Sequence, residues 1–149
     1  MGTITTKRSI FHLSEKTKEM TFNLVSLVFV CLFIYTAVSK FITHDKFVWA
    51  LGMSPYVGNK AELLGWVIPI LELLVSGLLI LEKFRRKGLA ASLILMILFT
   101  VYLIIMVTTV GKLPCTCGGV ISEMSWNQHI VLNVFLIGLS AIGLLAHKK

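Results

Sequence analysis

Four long apolar runs, residues 22–41, 63–81, 89–110 and 130–146, occupy most of this 149-residue chain. A bilayer is crossed by about 20 apolar residues in a helix, so each run is long enough to span. Lipid offers no water to the backbone, which leaves only helices and closed barrels as spanning structures. These runs are too long and unbroken for barrel strands. The expected fold is all-α, an integral membrane antiparallel four-helix bundle. With 56% of residues hydrophobic and 14% charged, little chain remains for a water-soluble core. The length suits one domain: a tail over residues 1–21 and a transmembrane domain over residues 22–149.

The net charge of +7 does not point to nucleic acid, because the basic residues gather at the ends of apolar runs. Lys7, Arg8, Lys16 and Lys18 precede the first run, Lys83, Arg85, Arg86 and Lys87 fill the second loop, and Lys148 and Lys149 end the chain. The opposite side holds Lys40, Lys46, Lys60 and Lys112. The positive-inside rule then places both termini in the cytoplasm and the third loop outside, which in a bacterium is the oxidising periplasm. The expected location is the bacterial inner membrane, with the lipid bilayer as first partner. A cleaved signal peptide is the rival reading of the first run, with Ala37-Val38-Ser39 as its cleavage site. The polar stretch before that run and the run's length both argue against it.

The tail carries a helix-start signal at Ser14 and Glu15. In the first loop, residues 42–62, the segment Phe47-Val48-Trp49-Ala50-Leu51 predicts a short interfacial helix stopped at Gly52, followed by a turn at Pro55. Trp49, Tyr56 and Trp66 suit an aromatic belt. The second loop, residues 82–88, reads as a tight hairpin. The third, residues 111–128, is rich in glycine and contains Pro114-Cys115-Thr116-Cys117-Gly118-Gly119.

That cysteine pair is the first candidate site. A disulfide between Cys115 and Cys117 would close a very small ring, and strained disulfides are the more oxidising ones. Gly118 and Gly119 admit unusual backbone angles. An inert staple is the plain alternative, although so short a loop recovers little chain entropy. Cu(I) binding is another, since thiolates select it, but the outer loops are not rich in Met or His, and no metal site is predicted.

Glu72 is the second candidate. It lies about 14 Å below the outward end of its run at 1.5 Å per residue, near the bilayer centre, where a carboxyl group is costly and points to function. It suits proton acceptance in quinone chemistry or a polar clamp between helices. Pro69 is expected to bend the same helix. Lys40, near the outward end of the first run, is expected to snorkel to the headgroups. The alternative is that it turns inward toward a thiolate, a quinone oxygen or Glu72, across an apparent gap in depth. His129 and Asn133 are four apart and share a helix face; His129 suits proton transfer or thiol activation, or is an interfacial histidine with no task. Trp126 suits a cap on a quinone ring or a lipid anchor. Cys31 and the methionines Met96 and Met106 read as packing residues, the methionines in the core or against lipid.

Taken in order, Ala37-Val38-Ser39-Lys40-Phe41, Ser54-Pro55, Pro69-Ile70-Leu71-Glu72 and the Pro114–Gly119 segment make the chain resemble the MauE/DoxX family of redox-associated membrane proteins. The resemblance implies a four-helix bundle in the bacterial inner membrane. It further implies periplasmic disulfide or sulfur redox chemistry, with a thioredoxin-like protein or substrate thiols as partner and quinone as possible cofactor. The architecture is also similar to vitamin K epoxide reductase and its bacterial disulfide-forming relatives. Those enzymes use two dithiol pairs, whereas this chain has one outward pair and Cys31. The first functional reading is a redox-active disulfide at Cys115 and Cys117, with Lys40, Glu72 and Trp126 at the quinone and Glu72, Lys40 or His129 handling protons and charge. Its rival is an accessory subunit of a larger membrane complex, in which the cysteines only shape a loop.

Overall fold

The computed structural model describes residues 15–109 and 126–146. Cys115 and Cys117 lie outside the described residues. The chain forms α1 (Glu15–Ile42), α2 (His44–Gly52), a 3-10 turn (Gly58–Lys60), α3 (Ala61–Ile80), α4 (Arg85–Thr109) and α5 (Trp126–Ala146), and no strand is present among the described residues. Four of these helices are long and apolar enough to cross a membrane. Their outward faces carry large exposed hydrophobic side chains, among them Leu24, Leu74, Leu98 and Phe135. Water-soluble monomers do not display apolar surface on this scale, so the helices read as lipid-facing spans of a multi-pass membrane protein.

The helices extend past the apolar runs because a helix need not end where lipid ends. α1 is already helical at Glu15, the first described residue, well before residue 22. α2 ends at Gly52 as expected. α3 continues through Pro69, whose missing N–H leaves the Gly65 carbonyl without its intrahelical donor.

Around the bundle α1 packs on α3 and α5, and α4 packs on α3 and α5. The core between them is built from Val25, Phe29, Phe33, Val75, Leu79, Leu89, Met96 and Leu136. Met106 is also buried, so both methionines are core residues. Cys31 is exposed on α1, not packed. Phe29 and Phe33 hold the buried stripe, and a position midway between them falls on the opposite side of the helix.

Four buried hydroxyls are satisfied within their own helix. Ser26 donates to the Phe22 carbonyl, Ser76 to that of Glu72, Ser92 to that of Gly88 and Thr100 to that of Met96. Ser140 donates across to the Leu89 carbonyl at 3.2 Å, tying α5 to α4.

Two glycines permit close approach. A Cβ at Gly65 would lie 2.5 Å from Val48 Cγ2, so α2 rests on α3 there. A Cβ at Gly88 would lie 2.9 Å from the Leu79 backbone nitrogen; backbone cannot swing aside as a side chain can. Gly88→Ala is therefore expected to destabilise the α3–α4 hairpin by about 1–3 kcal/mol, the usual range for overpacking, in detergent-micelle unfolding. A stability equal to wild type would contradict this close approach.

Candidate functional site

The site is built where α2 folds back over the ends of α1 and α3. Lys40 is 4% exposed and Glu72 1% exposed. The Lys40 ammonium donates to both Glu72 carboxylate oxygens, at 2.7 and 3.0 Å. Thr36, one turn before Lys40, lies beside the same carboxylate. The expectation that Lys40 snorkels outward is therefore corrected: it turns inward. Helical side chains tilt toward the helix N-terminus. At the end of α1 that tilt carries Lys40 back along the helix, toward the middle of the bundle. α3 runs the other way, so its tilt carries Glu72 up to meet Lys40. The two tilts close a gap that rise per residue alone leaves open.

The ammonium also lies 5.6 Å from the ring centroids of Phe47 and Phe99. Aromatic faces attract a cation at this range. Phe47 comes from α2 and Phe99 from α4, so the charge is held between elements that only the tertiary fold brings together.

A cavity of about 480 Å³ opens beside this pair, within the size range of small-molecule sites. Its walls are almost wholly apolar, and Thr36, Lys40, Glu72, Tyr102, His129 and Asn133 supply the polar groups. His129 and Asn133 share the buried face of α5 as their spacing predicts, and His129 is 4% exposed. The Nδ1 of His129 is buried without a hydrogen-bond partner. A buried polar atom left unpaired is costly and asks for an explanation.

Lys40, Glu72 and His129 are thus brought to one cavity. Trp126 begins α5, but its side chain lies outside the described residues, as do Cys115 and Cys117. Sequence reasoning missed Phe47 and Phe99 as partners of Lys40, and no local signal marks them.

A second polar group sits at the α1–α2 corner. The His44 ring packs on Trp66, with centroids 4.4 Å apart, and its Nε2 is 3.9 Å from a Glu62 carboxylate oxygen. Among the described residues no group of three His, Cys, Asp or Glu side chains is placed to hold a metal ion.

A helical multi-pass membrane protein with a charge-compensated internal cavity is the class these features define. The chain belongs to the family described as methylamine utilisation protein MauE, whose family model matches residues 18–146. The match runs from the first turn of α1 to the end of α5. No curated protein and no solved structure matches the chain.

Proposed function

We propose that this protein is an inner-membrane component of periplasmic thiol–disulfide redox chemistry within methylamine utilisation, exchanging electrons through Cys115 and Cys117. The observation that carries the reading is the cavity itself. A buried ion pair and the ring of His129 line an otherwise apolar space. An intramembrane ionisable pair at such a place marks function.

In this scheme a thiolate of a thioredoxin-like partner attacks the Cys115–Cys117 disulfide and forms a mixed disulfide. The partner's second thiolate resolves it, so the partner leaves oxidised and the Cys115/Cys117 pair is left as two thiols. Restoring the pair requires removal of two electrons and two protons, which is the capacity a membrane quinone supplies when bound. The cavity residues fit such a group: apolar walls, two phenylalanine rings, a cation donor at Lys40 and a ring nitrogen at His129. Glu72 holds the Lys40 ammonium in place, and His129, on the helix that follows the cysteine loop, is placed to carry protons. Trp126 is the proposed cap on the quinone ring.

The scheme places both termini in the cytoplasm and α2 at the outer interface. A membrane-impermeant maleimide applied to intact spheroplasts is expected to label Cys115 and Cys117 only after reductant is added. Labelling confined to inverted vesicles would overturn the topology, and labelling indifferent to reductant would overturn the disulfide. The second reading, an accessory subunit of a larger membrane complex, draws on the exposed Trp49 and Tyr56 in the first loop. It predicts a stable co-purifying complex whose assembly ignores both cysteines.

A further inference from the structure

We infer that the cavity is loaded sideways from the bilayer, through a gap between α3 and α4, and that it takes an uncharged lipid-dissolved ring bearing carbonyl oxygens, the quinone class. This deepens the functional reading above by giving the acceptor a route and a binding site.

The gap follows from how the two helices are joined. At the hairpin they touch at backbone distance, where Gly88 meets Leu79. Farther along, both helices contribute to the cavity wall, Leu64, Ile68 and Leu71 from α3 and Leu95, Leu98 and Tyr102 from α4. Two of these wall residues are also on the outer surface, Leu71 at 41% and Leu98 at 61% exposure. A residue that is both cavity wall and exterior marks a rim. At 1.5 Å per residue, Leu71 lies about 15 Å and Leu98 about 20 Å along their helices. Both depths fall near the middle of a hydrocarbon core about 30 Å thick. An opening at that depth meets acyl chains, so what uses it must already be dissolved in lipid.

The interior selects further. Glu72 neutralises Lys40, so the pair offers no net charge to attract an ion. An ammonium has three protons, and the two carboxylate oxygens accept two of them. The third is left for a carbonyl oxygen, in a space flanked by the flat faces of Phe47 and Phe99. His129 lines the same cavity and adds an imidazole ring to its wall.

The test is equilibrium retention of menadione on nanodiscs carrying the full chain, set against the water-soluble 1,4-naphthoquinone-2-sulfonate and against empty nanodiscs. Menadione is expected to be retained above empty discs and the sulfonate not. Leu98→Trp, at the rim, is expected to weaken retention about tenfold, the effect of a modest loss of binding free energy. Leu71→Trp is a second rim variant that should act in the same direction. Ile94→Trp is the control: Ile94 is 59% exposed on α4 and does not line the cavity. Equal retention of the sulfonate, no retention of menadione, or rim variants indistinguishable from Ile94→Trp would each overturn the inference. Because binding is read without turnover, the Cys115→Ser/Cys117→Ser protein is expected to retain menadione fully. Retention there with thiol exchange abolished in every form of the protein would leave this inference standing and remove the redox reading.

Discussion

Glu72→Ala is expected to cost about 3–5 kcal/mol of bundle stability, the range for leaving one member of a buried ion pair without its partner. Lys40→Ala should cost a similar amount, because the carboxylate that remains is equally enclosed. The double substitution Lys40→Met/Glu72→Leu removes both charges at nearly constant volume, and such replacements are commonly neutral or stabilising. The double variant should therefore regain wild-type stability or exceed it. Unfolding titrations in mixed micelles over the four proteins form a thermodynamic cycle that isolates the coupling. Single substitutions costing no more than about 0.5 kcal/mol, the scale of surface changes, would contradict the enclosure of the pair. The cycle also separates two roles of Glu72. If the pair serves only as a clamp, the stable double variant keeps its activity. If it serves the cavity, as proposed, that variant folds and is inactive.

Cys115→Ser and Cys117→Ser are each expected to reduce oxidation of a thioredoxin-like partner to the uncatalysed background in proteoliposomes that contain quinone. The loss is complete in this account because one sulfur must accept the incoming thiolate and the other must leave. With one cysteine removed, the thiolate that remains is expected to attack the disulfide of the oxidised partner, releasing one partner thiolate and leaving a reductant-sensitive mixed disulfide that acid quench and alkylation preserve for a non-reducing gel. Wild-type turnover in both variants would remove the redox proposal and leave the accessory-subunit reading.

The spans were legible because lipid imposes a length and an apolar composition on any helix that crosses it. Their ends were less so. α4 begins at Arg85, ahead of its apolar run, since basic residues at a membrane surface continue a helix without entering hydrocarbon. Which side of each helix faces inward was harder to read, because the lipid-facing side is apolar as well. Cys31 shows the consequence: hydrophobicity could not tell its face from that of Phe29 and Phe33.

Polar spacing did better. His129 and Asn133 fell on one buried face as their separation required. The Lys40–Glu72 contact stays open in the sequence, because depth counted along the helix axes alone leaves a gap between them. Side-chain tilt, opposite in sign for the two antiparallel helices, supplied the missing reach. The cavity had no local signature. It depends on Gly88 drawing α3 and α4 together at one end and on α2 covering the other.

The most direct measurement is the thiol state of Cys115 and Cys117 after the reduced protein in nanodiscs receives menadione, read by acid quench and alkylation. The account predicts that the pair re-forms its disulfide on menadione addition in the wild type, and that Lys40→Met/Glu72→Leu stays reduced under the same conditions. A pair that never changes state, or one that reoxidises equally well without the Lys40–Glu72 pair, would contradict it.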